Sequence, residues 1–256
     1  MMMLIVGRTA SGKDHLKSIL EQMGLTAVLS RTTRPRRSAD EDTHVFLTED
    51  EAAEQLPFAV AHTNINGYDY FATPNDIESN DIYIVDPKGV EDLTTALPDV
   101  EFKIIYVYAP YENRETMACL RADDPEAERQ VFRDRNDSED ESFTAFEEKI
   151  AHAINGERVF ANNVYALDFI PNDYQPKTME DAAVKAFEDL LYHENLEHIV
   201  NALVEEEITP TYEGQVLVET DGKVDQMSVD HAASSMCAND EEAAKVINYY
   251  LRHFRL

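Results

Sequence analysis

The stretch "LIVGRTASGKDHLKSIL" (Leu4–Leu20) decides how this chain is read. A short apolar run leads into a loop bounded by Gly7 and Gly12. Lys13 then opens an amphipathic pattern that runs to Met23. That order predicts strand, loop and helix. Gly-x4-Gly-Lys in this context places glycine backbone around an anion, with the N–H groups of the helix start aimed at its oxygens. Lys13 would neutralise terminal phosphates. The next position usually supplies a hydroxyl to Mg²⁺, and here it is Asp14, a carboxylate and also a hard oxygen ligand. The candidate phosphate-binding residues are therefore Gly7, Ser11, Gly12, Lys13 and Asp14, with Asp14 as the candidate Mg²⁺ contact.

Outward from the loop, Gly24 is a predicted helix stop and "TAVLS" (Thr26–Ser30) a predicted second strand. Thr48 and Glu51 form a capping-box pattern at the start of a short helix. "FAVAHTNINGYDYFAT" alternates around Asn66-Gly67, which predicts a hairpin. "DIYIVD" (Asp81–Asp86) and "FKIIYVYA" (Phe102–Ala109) are unbroken apolar runs, as expected of central parallel strands covered on both faces. Helical patterns at 111–122 and at Met179–Tyr192 flank a further strand, "VYALDFI" (Val164–Ile170). Between them, Asp123–Glu148 is highly charged, either a helical segment that moves over a site or a solvated helix. Strands alternating with helices predict an α/β fold with a mainly parallel sheet.

The net charge is -29 over 256 residues, yet residues 1–37 carry seven basic side chains against Asp14 and Glu21. A basic cluster in an acidic chain suits a small polyanion and argues against general nucleic-acid binding. No apolar run reaches the length of a membrane span, and "MMMLIVG" reads as a buried strand. Cys119 and Cys237 fit neither a metal set nor a disulfide framework, which points to a reducing, cytoplasmic setting.

The basic cluster continues in "SRTTRPRRSADEDTHVF" (Ser30–Phe46), where Arg34 and Arg37 can converge on one phosphate through guanidinium forks. With this segment the chain resembles the guanylate kinase family. The order is a phosphate loop, Ser-x-Thr-Thr-Arg-x-x-Arg-x-x-acid, aromatic-x-Phe, "NGYDYFAT", "VDPKG" (Asp86–Gly89) and "PND" (Asn172, Asp173), over about residues 1–192. The resemblance implies a P-loop NTPase fold with a monophosphate-binding part at about 31–80 and a lid at about 121–148. It implies transfer of a phosphoryl group from ATP to a nucleoside or deoxynucleoside monophosphate such as GMP, with Mg²⁺. It implies that Ser30, Arg34, Arg37 and Tyr70 hold the acceptor monophosphate with Asp40 in the same substrate site, that Asp86 lies near the acceptor and metal, that Arg121, Arg133 and Arg135 serve from the lid, and that Asn172 lies near the donor base.

The chain departs from the family pattern at several positions. His44 replaces a tyrosine, Asp40 a glutamate, Phe71 a glycine and Ile84 an aspartate. The guanine-reading glutamate falls near Ala61, beside which His62 is the nearest polar substitute. Two other readings stay open: a P-loop kinase of another phosphorylated acceptor, and a catalytically inactive guanylate kinase-like binding module. Residues 193–256 read as an α-β-β-α appendage with a hairpin turning at Asp221-Gly222. Its "YYLRHF" end (Tyr249–Phe254) is an apolar helix face, covered either by the rest of the chain or by a second copy in a homo-oligomer.

Overall fold

The apolar runs become a four-stranded parallel sheet in the computed structural model. Strands β1 (Met2–Val6), β6 (Ile82–Ile84), β7 (Phe102–Tyr108) and β8 (Val164–Pro171) lie in the order β6-β1-β7-β8. The structure describes residues 1–190 other than Arg37, Asp40, Asn66, Asp123 and Glu188, together with short strands at 209–210, 216–220 and 223–227. By its contacts the chain divides into two units, Met1–Ala183 and Val184–Leu256.

Every residue of β1 is buried, as is β7 up to Val107, because both strands have neighbours on each side and helices over each face. On one face Leu4, Val6, Ile104 and Tyr106 pack with Val90 and Leu93 of α4 (Pro87–Ala96) and with Phe143, Phe146 and Ile150 of α6 (Pro125–Ile154). Each such burial contributes roughly 1.5–3 kcal/mol. α1 (Lys13–Gln22) buries Leu16 and Leu20, and the chain leaves it at Gly24 with φ 99°.

A second sheet, ordered β3-β2-β5-β4, is built from β2 (Arg31–Thr32), β3 (Val45–Phe46), β4 (Ala61–Ile65) and β5 (Tyr68–Ala72). β4 and β5 form the expected hairpin, and Thr48 caps α2 (Glu49–Gln55) through a complete capping box with Glu51. α3 (Pro74–Glu78) links this sheet back to β6. "TAVLS" is not a full strand. It makes one bridge, Ala27 to Ile82, and pairing resumes only at Arg31 in the other sheet, because the segment crosses from one sheet to the next.

The charged segment expected as a lid forms one 30-residue helix, α6, preceded by α5 (Tyr111–Leu120). Phe132, Asn136, Phe143, Phe146 and Ile150 recur at helical spacing and are buried, so its second half is core. In the other unit, β10 (Val216–Thr220) and β11 (Lys223–Met227) pair antiparallel around 221–222 as the hairpin pattern predicts, with β9 (Thr209–Pro210) beside β10. The helices expected in the appendage, with the Tyr249–Phe254 face, fall on residues outside those described.

Candidate functional site

Four parallel strands end at one edge of the sheet, and each carries the chain into the site. The glycine loop follows β1, Asp86 follows β6, the turn before α5 follows β7, and Asn172 follows β8. In open parallel sheets this edge is where ligands bind.

The loop is shaped by close contacts that exclude side chains. A Cβ at Gly7 would stand 2.4 Å from the Val107 carbonyl oxygen, and one at Gly12 would stand 2.4 Å from Asn172 Nδ2. Gly12 also has φ 105° as the N-cap of α1, where no side chain bonds to the helix amides. The N–H groups of Lys13 and Asp14 begin the helix without intrahelical partners. Lys13 Nζ folds back over the loop, donating to the Gly7 carbonyl at 2.5 Å and the Arg8 carbonyl at 3.0 Å. Burial pushes its ammonium down to about 8, while the charges of Glu139 and Asp14 work the other way.

The loop is braced from beneath. Asn172 donates through Nδ2 to the Ser11 carbonyl at 2.7 Å, and its Oδ1 accepts from the Tyr174 N–H at 2.7 Å. Tyr174 Oη donates to the Ala10 carbonyl at 2.8 Å. Ala10 and Tyr174 are the non-glycine residues with positive φ among those described, at 61° and 60°. This costly backbone sits where the loop is built. The buried Arg114 donates to the Thr9 carbonyl at 3.2 Å and to Asn136 Oδ1 at 2.9 Å. Above, Arg8 bonds to Glu147, Asp140 and Thr144 of α6, with its closest approach 2.7 Å.

A cavity of about 410 Å³ opens on this loop, lined by Thr9 to His15 together with Arg121, Glu128 and Arg135. Two of the three expected lid arginines thus meet the loop. Arg133 does not line the cavity; its Nε donates to Glu115 Oε1 at 2.9 Å, because the helix turns it away from Arg135. Asn172 is 4% exposed and spends its amide on the loop backbone, so its place is that of a brace under the loop.

The cavity suits a polyphosphate chemically. It offers helix-start amides, an ammonium and two guanidinium groups against the carboxylates of Asp14 and Glu128, and Ser11 Oγ is buried with no hydrogen-bond partner, a group that normally demands one. Asp14 is exposed in the first turn of α1 at the cavity wall, a single hard carboxylate of the kind that Mg²⁺ takes alongside phosphates and water.

The expected acceptor residues form a second group. Arg34 donates to Glu41 with Nη2 at 2.7 Å and Nη1 at 3.3 Å, and lies 5.3 Å over the Phe46 ring. Arg36 also lies over the Phe46 ring, at 4.3 Å, and bonds to the Glu41 carbonyl. His44 stands edge-on to Tyr70 at 5.6 Å. Ser30 Oγ and Tyr83 Oη are 3.1 Å apart, and burial pushes the Tyr83 hydroxyl up to about 12. Asp86 caps α4, accepting from the Gly89 N–H at 2.6 Å. Arg37 and Asp40 lie outside the described residues.

Register sorts the hairpin residues. Thr63 pairs with Tyr70 and Ala61 with Ala72, so Ala61, Thr63 and Tyr70 share a face with Thr32. His62 lies on the opposite face, where its Nε2 is 2.9 Å from Asp69 Oδ1. His62 therefore does not take over the position of Ala61.

The chain matches no protein-family model and no curated protein sequence. Among solved structures it is similar to a guanylate kinase from Anaplasma phagocytophilum, with 15% identity and a TM-score of 0.44 over 75% of this chain and 85% of that one. It is also similar to an uncharacterized protein from Eubacterium ventriosum, with 11% identity and a TM-score of 0.35 over 73% of this chain and 98% of that one.

Proposed function

We propose that the chain is an ATP-dependent phosphotransferase acting on a nucleoside or deoxynucleoside monophosphate. The observation that carries this reading is the meeting of the Gly7–Asp14 loop with Arg121 and Arg135 around one cavity. In this reading Lys13, the loop amides and the two arginines hold the triphosphate. Mg²⁺, held by Asp14 and the nucleotide, supplies charge neutralisation. Ser30, Arg34 and Tyr70 hold the acceptor's phosphate, joined by Arg37, while Asp86 lies near the acceptor and the metal and Asp40 belongs to the same acceptor site. Phosphoryl transfer asks the protein mainly for alignment and for positive charge around the moving group.

By the resemblance the family's guanine-reading position falls near Ala61, which lies on the Tyr70 face among hydroxyl and apolar side chains. The acceptor's base is therefore proposed as less restricted than guanine, and its phosphate as the main handle. Residues 1–192 would carry this chemistry, in a cytoplasmic protein, with 193–256 as an appendage. Among the described residues no helix is long and apolar enough to cross a membrane.

The test is a melting-temperature panel across nucleoside mono- and triphosphates with Mg²⁺, followed by coupled detection of ADP. Stabilisation by a triphosphate and turnover with at least one monophosphate are expected. Absence of stabilisation by every triphosphate would sink the reading and favour a binding module. Turnover only with another phosphorylated acceptor would favour the other kinase reading.

A further inference from the structure

One carboxylate on α6 already holds groups that a phosphate would use. Glu139 Oε2 accepts from the Thr9 N–H at 3.1 Å, and its Oε1 accepts from Thr9 Oγ1 at 2.6 Å. The same Oε1 accepts from Arg135 Nε at 2.9 Å. Thr9 and Arg135 both line the cavity. A loop amide, a loop hydroxyl and a cavity arginine are thus satisfied by a single internal anion. Burial works to raise the Glu139 carboxyl, but the hydrogen bonds from Thr9 and the charge of Arg135 hold it below the usual carboxylate range, so it is ionised at neutral pH.

We propose that Glu139 is an internal counter-anion of the donor site, an autoinhibitory contact that an incoming triphosphate displaces. The inference rests on the phosphotransferase reading above. Donors satisfied by Glu139 are not available to a phosphoryl oxygen in the same geometry, and two anions on one amide repel. Release does not require α6 to detach. Arg8 remains tied to Glu147, Asp140 and Thr144, and Phe143 and Phe146 keep the helix in the core. The displaced element is therefore one side chain, and Arg135 passes from Glu139 to the ligand as it leaves. In the ligand-free protein the contact keeps Thr9 and Arg135 ordered and makes weak anions poor occupants of the loop.

The experiment is calorimetric titration of the full chain with MgATP and, separately, with magnesium tripolyphosphate. Glu139→Gln keeps the shape of the side chain and removes its charge, and is expected to bind both probes at least about fivefold more tightly than wild type. Glu139→Ala removes the contact altogether while leaving the Thr9 and Arg135 donors in place, and is expected to tighten binding by about threefold or more. Glu141→Gln removes an exposed charge of the same helix and serves as the control, expected to bind as wild type does. Melting curves check that each variant folds. If wild type binds and neither Glu139→Gln nor Glu139→Ala binds more tightly, Glu139 is a structural brace and this inference fails while the donor-site reading stands. If neither wild type nor Glu139→Gln binds either probe, both fail. Binding by Glu139→Gln alone would be the strongest support.

Discussion

The glycine loop and the Arg34 loop are both expected to hold phosphate, but they are supported in opposite ways. The glycine loop is held by residues 105 to 164 positions away, from Arg114 and α6 to Asn172 and Tyr174. Arg34 is held chiefly by Glu41, seven positions away, and by the Phe46 ring, with Tyr70 of the neighbouring hairpin also acting on it. Distant braces fix the loop against the whole sheet, whereas local ones bend with their own segment. A site that must keep its donors aligned benefits from the first arrangement. One that must close around an acceptor benefits from the second.

The largest effect should come from breaking the fixed side. Lys13→Ala is expected to abolish triphosphate binding and lower turnover by about a thousandfold or more. Turnover at the wild-type rate would remove the donor half of the comparison. Arg34→Ala should lower turnover by about a hundredfold while leaving the calorimetric affinity for MgATP unchanged, because the local side is built separately. A matching loss of MgATP affinity would show that the two regions are not independent.

Two glycines test how tightly the loop is enclosed. Gly12 and Gly67 both have positive φ, at 105° and 84°, but a Cβ at Gly12 meets Asn172 whereas one at Gly67 meets nothing within 4 Å. Gly12→Ala should therefore cost about 3 kcal/mol and Gly67→Ala about 1 kcal/mol in denaturant unfolding. Equal losses would mean that backbone strain alone decides.

A smaller effect follows from Lys13, whose ammonium burial pushes down to about 8 in the free protein. The charged form is complete below that pH and is lost as pH rises through it. MgATP affinity should therefore hold up to neutrality and be about tenfold weaker by pH 9, while Lys13→Arg should be flat over the same range. Least of all, Arg133→Ala should change turnover by less than about twofold, since Arg133 faces Glu115, whereas Arg135→Ala should lower it by about tenfold or more.

Much of the fold was legible because its signals are local. The unbroken apolar runs became β1, β6 and β7, the alternating segment around residue 66 became the β4–β5 hairpin, and Thr48 with Glu51 became a capping box. The limits were equally physical. A charge-rich segment conceals its buried stripe when the apolar residues are three and four apart, so the sequence left α6 as either a segment that moves over a site or a solvated helix, although Phe143 and Phe146 are core. "TAVLS" has strand composition but crosses between sheets, and composition does not record a partner. Within the site, Glu139, Arg114 and Tyr174 carried no motif that would single them out. Glu139 is one acid among many on its helix until the fold sets it on Thr9.

The sequence by itself determined the loop, because glycine spacing, a following lysine and a flanking strand and helix are short-range facts. It likewise determined the alternation of strands and helices and the clustering of basic residues near the N-terminus. Only the tertiary structure decided which arginines face the cavity, that Asn172 lies beneath the loop, that His62 lies on the face opposite Ala61, and that an internal carboxylate holds Thr9. Those outcomes depend on helix phase, strand register and contacts across more than a hundred residues, which long-range packing sets and local pattern does not contain.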